Sequence, residues 1–70
     1  MAGRPPIAPG SLADRLRDVI PPGRGGTMAA MLAAGKALPE DVKAEVQRLR
    51  DVGYIRTYGQ KRAMRYFWRP

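Results

Sequence analysis

Gly53 divides this chain into two stretches whose residues recur with different periods. Before it, Val42, Val46, Leu49 and Gly53 itself share one stripe at three- and four-residue spacing, with Val52 beside them. Lys43, Gln47, Arg48 and Arg50 lie off that stripe. After it, Tyr54-Ile55-Arg56-Thr57-Tyr58 is rich in β-formers, Gly59 to Arg62 reads as a turn, and Ala63 to Arg69 is strand-like again. A helix stopped by Gly53 and followed by a hairpin is expected. An isolated hairpin is marginal in water, so its apolar face has to pack on the helical part. Tyr54, Tyr58, Tyr66, Phe67 and Trp68, the whole aromatic complement, lie in this C-terminal stretch.

Two more helices are legible upstream. Ser11 suits an N-cap, with Asp14 favouring the positive end of the helix dipole, and Leu12, Leu16, Val19 and Ile20 form the apolar face. Pro21-Pro22-Gly23 ends this helix, because a residue preceding proline is pushed out of the helical region. A loop through Gly25-Gly26 leads to Thr27, the N-cap expected for a short helix from Met28 to Ala34 that Gly35 closes in a left-handed conformation. No face of that helix is charged. Either some of Met28, Ala29, Met31 and Ala33 meet a partner, or alanines are simply tolerated at the surface. After Lys36-Ala37-Leu38 the third helix, 39–52, opens on Pro39, with Glu40 and Asp41 complementing its dipole. Residues 1–10 hold three prolines and two glycines and read as an extended, mobile arm.

The chemistry open to such a chain is narrow. Its 70 residues include no cysteine and no histidine, which removes thiol nucleophiles, imidazole bases, disulfides and the usual zinc ligands. No Ser or Thr stands in a nucleophile motif, and Ser11 and Thr27 read as caps. The expectation is a single non-enzymatic domain with no cofactor and no metal. Charge points to the partner: 13 Lys and Arg against 6 Asp and Glu give +7, which favours nucleic acid or an anionic membrane. The acids all lie between Asp14 and Asp51, whereas residues 54–70 carry Arg56, Lys61, Arg62, Arg65 and Arg69 with no acid. No apolar run approaches the roughly 20 residues of a membrane span, and the N-terminus lacks the apolar stretch of a signal peptide. A cytoplasmic protein is expected.

The stretch Thr27 to Ile55 (TMAAMLAAGKALPEDVKAEVQRLRDVGYI) resembles the helix-turn-helix core of winged-helix transcription regulators. Leu32 and Ala33 match the first helix of that core, Gly35 and Leu38 the turn, Val42, Val46 and Leu49 the recognition helix, and Gly53-Tyr54-Ile55 the exit. Tyr58-Gly59-Gln60-Lys61-Arg62 with Arg65-Tyr66 looks like a wing with a basic tip, so the resemblance covers residues 11 to 69. It implies an α+β, mainly α fold: a winged helix-turn-helix of three helices followed by a two-stranded hairpin, occupying 11–70 after the arm 1–10. It also implies a duplex DNA-binding transcription regulator, nucleoid-associated when bound, of the small phage or mobile-element type. Helix 39–52 would enter the major groove, with Lys43, Ala44 and Gln47 at base edges and Arg48 on phosphate. The wing would place Arg56, Lys61, Arg62 and Arg65 on the backbone or in the minor groove, with Arg4 of the arm as an optional further contact.

Two features depart from the family pattern. Pro39 and Glu40 stand where the family often has a Ser or Thr cap, and Glu40 and Asp41 put negative charge at the leading end of the recognition helix. Each carboxylate favours a helix start by about 0.3–1 kcal/mol but repels phosphates. The alternative reading is therefore a phage-type interaction or inhibitor protein, anti-CRISPR-like, that binds a protein or ribonucleoprotein. A third, RNA binding through Tyr54, Tyr58, Tyr66 and Trp68, requires those rings to be exposed. A monomer this small offers few base contacts, so a second copy or a partner protein is expected to dock on helix 28–34 or on the hairpin.

Overall fold

A computed structural model of the chain describes residues 4–60 and 63–69. Three helices, α1 (Leu12–Asp18), α2 (Met28–Gly35) and α3 (Pro39–Asp51), precede two strands, β1 (Ile55–Tyr58) and β2 (Arg65–Trp68). The architecture is a small, mostly helical α+β fold. Among the described residues no helix is long and apolar enough to cross a membrane.

The helix boundaries follow from local chemistry. Ser11 Oγ accepts from the Asp14 amide at 3.3 Å, and the Asp14 carboxylate accepts from the Gly10 amide at 2.9 Å, so the amides of Gly10 and Asp14 are both satisfied at the start of α1. Thr27 Oγ1 caps α2 by accepting from the Ala30 amide at 3.2 Å. α3 begins differently. Leu38 occupies its N-cap without a side-chain bond, and Pro39 stands at a position where no amide is needed. Its other end is a Schellman motif: the Tyr54 amide donates to the Leu49 carbonyl at 2.8 Å, the Gly53 amide donates to the Arg50 carbonyl at 3.1 Å, and Gly53 has φ 91°. α3 thus stops at Asp51, one residue before the expected 52, with Val52 as its C-cap.

At Gly35 the expectation is corrected. Gly35 is the last helical residue of α2, and the left-handed position falls on Lys36, at φ 53° and ψ 40°. Glycine is required at 35 for space instead. A Cβ there would lie 2.8 Å from Val42 Cγ2, so the end of α2 and the first turn of α3 approach more closely than any side chain allows.

The buried core draws on the three helices and β1, and Tyr66 and Trp68 of β2 pack against it. Ala13, Leu16 and Ile20 come from α1 and its exit, Met31 from α2, Val42, Val46 and Leu49 from α3, and Ile55 from β1. Met31 is fully enclosed, which removes it from the residues of α2 that could meet a partner. Ala29 and Ala33 are exposed and Met28 is half-buried.

β1 and β2 pair antiparallel, with Ile55 opposite Trp68, Arg56 opposite Phe67, Thr57 opposite Tyr66 and Tyr58 opposite Arg65. The segment read as a loop through Gly25-Gly26 adds a rung on the free side of β2. Gly26 and Tyr66 exchange two backbone hydrogen bonds, each 2.8 Å. Two glycines carry no side-chain pattern, so this pairing leaves no periodic signal in the sequence.

The N-terminal segment has no regular structure from Arg4 to Ala8, yet it is tied down. The Arg4 guanidinium donates to the Gly53 carbonyl at 3.2 Å and the Arg69 carbonyl at 3.1 Å, and it lies 4.5 Å from the centre of the Tyr54 ring. The Tyr54 hydroxyl donates to the Pro5 carbonyl, and Ile7 packs against the core. Arg15 adds a second tie, donating to the Gly35 carbonyl at 3.1 Å and the Gly10 carbonyl at 2.9 Å. It thereby joins the arm, α1 and the end of α2.

Candidate nucleic-acid interface

Side chains alternate across a sheet, so the register sorts the hairpin into two faces. Ile55, Thr57, Tyr66 and Trp68 lie on one, and Arg56, Tyr58, Arg65 and Phe67 on the other. The first face meets the helices: Ile55 is buried, and Tyr66 and Trp68 pack against the core together with Tyr54. Trp68 and Tyr54 stack with ring centres 5.3 Å apart, and the Arg17 guanidinium lies 5.9 Å from the Trp68 ring. Three of the four rings considered for base stacking are thus spent on the core, and of that set only Tyr58 is exposed.

The second face looks outward. Arg56 donates to the Tyr58 hydroxyl at 3.1 Å, and the Tyr58 ring meets the Phe67 ring edge-on at 5.3 Å. Phe67 in turn covers Gly25, where a Cβ would come 2.9 Å from the ring and φ is +76°. Phe67 therefore settles on bare backbone, which only glycine provides. Two open clefts flank this contact. One, about 430 Å³, is bounded by Arg56, Tyr58, Phe67, Trp68 and Arg69; the other, about 520 Å³, by Pro21, Arg24, Gly25 and Arg65. Neither contains a carboxylate. A third groove of about 580 Å³, between the Pro21–Gly23 turn and Phe67 and Trp68, includes both Arg17 and Asp18.

The outward side of α3 has a different character. Glu40, Ala44, Gln47 and Asp51 follow helical spacing opposite the buried row Val42, Val46 and Leu49, and all four are exposed. That outward row holds two carboxylates and no cation. Over the whole helix four acids (Glu40, Asp41, Glu45, Asp51) face three bases (Lys43, Arg48, Arg50), a net charge of −1 in a chain of +7. The Gln47 amide donates to Asp51 at 3.0 Å. Arg48 is clamped by Glu45 through two bonds of 2.9 and 2.7 Å, and this pairing raises its pKa above the ordinary guanidinium value. Arg48 therefore stays charged through any physiological pH, but its fork is already occupied.

Of the residues singled out from the sequence, Lys43, Ala44, Gln47 and Arg48 are exposed on α3, and Arg56 and Arg65 share the outward face of the hairpin. Lys61 and Arg62, the expected wing tip, lie outside the described residues. Arg4, expected as an optional groove contact, is engaged with Gly53, Arg69 and Tyr54. Sequence reasoning missed Arg24, Phe67 and Arg69. Phe67 and Arg69 follow Arg65 at two-residue spacing, and Arg69 belongs to the acid-free stretch, whereas Arg24 has no local signal, since the Gly25-Gly26 pairing brings it there. The chain matches no protein-family model, no curated protein and no solved structure.

Proposed function

We propose that this protein is a non-enzymatic winged helix-turn-helix that binds duplex DNA, with its main electrostatic hold on the hairpin rather than on α3. The observation that carries this reading is the separation of charge. α3 is net negative, whereas the hairpin presents Arg56, Arg65 and Arg69 beside Arg24 with no carboxylate in either cleft. The order of elements, the tight α2–α3 turn at Gly35 and the hairpin after Gly53 support the winged-helix assignment.

In this reading phosphates are held by the hairpin arginines and by Lys61 and Arg62, and base edges are approached by Gln47 from the outward row of α3 and by Lys43 beside it. A transcription-regulating role at a two-fold site follows if two copies act together. Binding of a labelled 20-base-pair duplex at several salt concentrations tests the mechanism. If about five phosphates are neutralised, log K falls with log[salt] at a slope near −4.5. A flat salt response removes it. Replacing Lys61 and Arg62 by alanine weakens all sequences alike, while Gln47→Ala relaxes base preference.

The outward row of α3 favours a second reading. Its two carboxylates suit a basic protein surface, as in an inhibitor that docks on a nucleic-acid-binding protein. Duplex affinity that is absent at low salt selects this reading over the first.

A further inference from the structure

Five aromatic rings lie in or beside the hairpin, and they divide by face. Tyr54, Tyr66 and Trp68 pack against the core; Tyr58 and Phe67 do not belong to it. Tyr58 is 53% exposed, the most exposed aromatic among the described residues. Burial does not account for Tyr58, and Phe67, half-buried over Gly25, stands beside it with part of its ring open to the same surface.

Their neighbours give them a chemistry. Arg56 stands opposite Phe67 and Arg65 opposite Tyr58, so two guanidiniums and two rings alternate as a checkerboard on one outward surface. Arg69 extends the cationic border at one side and Arg24 at the other, through the two clefts that meet where Phe67 rests on Gly25. The two ion pairs among the described residues, Arg17–Asp14 and Arg48–Glu45, involve none of these arginines.

A surface of this kind has more than a duplex backbone can use. Phosphates need only the arginines, and the bases of a duplex have their faces covered by one another. An unpaired strand offers alternating anionic phosphates and free π-faces, which is the complement of alternating guanidiniums and rings. We infer that the outward face of the hairpin binds an unpaired nucleic-acid strand, with bases stacked on Tyr58 and Phe67 and phosphates on Arg56, Arg65, Arg24 and Arg69. This goes beyond the duplex reading and does not depend on it.

The bland account is that Tyr58 and Phe67 form a cross-strand pair that only stabilises the hairpin. That role is blind to whether a ligand has bases. Binding of the full chain is therefore measured by fluorescence anisotropy, at one salt concentration, to four labelled 20-mers: oligo-dT, oligo-rU, an abasic deoxyribose-phosphate strand and a blunt duplex. The expected result is that oligo-dT or oligo-rU binds at least about 5-fold more tightly than the abasic strand, since stacking on one ring is worth that factor or more. The tighter of the two identifies DNA or RNA as the source. Tyr58→Leu reduces the difference between based and abasic strands, and Tyr58→Phe keeps it. Phe67→Leu, which retains bulk over Gly25, reduces it as well, with thermal melting confirming that both variants fold.

Equal affinity for based and abasic strands overturns the inference, as does a Tyr58→Leu variant that binds oligo-dT and oligo-rU as the parent does. Tight duplex binding with equal based and abasic affinities overturns it and leaves the duplex reading standing. Base-dependent single-strand binding with no duplex binding does the reverse.

Discussion

Gly35 and Val42 lie so close that a Cβ on Gly35 would stand 2.8 Å from Val42 Cγ2. Three side chains converge at this point, where α2 hands over to α3: Val42 of α3 and Leu12 and Leu16 of α1. Gly35→Ala is expected to overpack the junction and lower stability by about 1–3 kcal/mol, read from denaturant unfolding. The backbone of Gly35 is helical, so alanine is not strained there by conformation. Gly35→Ala combined with Val42→Ala should therefore cost less than the sum of the single changes. Additive costs would show that the two residues do not compete for the same space.

Arg15 links three parts of the chain through two carbonyls, Gly35 and Gly10. Charge-assisted bonds of this type are worth about 1.5–3 kcal/mol when a partly buried partner loses them. Arg15→Met keeps most of the stem and removes both bonds, so a loss in that range is expected. Amide exchange should rise at the end of α2 and in residues 8–11. Unchanged exchange at both places would argue that water replaces the guanidinium without cost.

Arg4 spans the carbonyls of Gly53 and Arg69 and covers the Tyr54 ring. Arg4→Ala is expected to loosen the N-terminal segment, to speed its cleavage by a protease and to cost about 1 kcal/mol. If Arg4 serves DNA instead, the substitution lowers duplex affinity and leaves proteolysis and melting as they were.

Glu40 and Asp51 mark the two ends of the outward row of α3. If that row faces duplex DNA, Glu40→Gln with Asp51→Asn removes two repulsive charges. At close range in water each is worth up to about 1 kcal/mol, so affinity should rise by roughly 5-fold or more. Under the protein-partner reading the same pair of changes leaves duplex binding unaltered. Asparagine at 51 keeps an oxygen that can accept from the Gln47 amide, so base preference should hold while affinity rises, which is the informative second readout.

Much of this fold is legible in the sequence. The caps at Ser11 and Thr27, the proline-led start of α3 and the glycine stop at 53 are local events, decided by a few neighbouring atoms. The buried row of α3 was legible too, because helical spacing alone puts Val42, Val46 and Leu49 on one side. What escaped sequence reasoning depends on approach between distant segments. Gly35 looked like a left-handed cap because that is the usual local use of glycine after a helix. Its real constraint is Val42, seven residues on and in another helix. Gly25 and Gly26 read as a loop because a strand rung without side chains has no pattern.

The candidate site divides in the same way. Sequence by itself determined the sign and position of the charge: an acid-free, arginine-bearing stretch after Gly53 and acidic residues at the start of helix 39–52. It could not determine which rings would be free, since Tyr66, Phe67 and Trp68 are consecutive and so put rings on both faces of a strand. Only the tertiary structure decided that. The helices claim whichever face of the hairpin carries Ile55, and strand pairing then forces Tyr66 and Trp68 inward and leaves Tyr58 and Phe67 among the arginines.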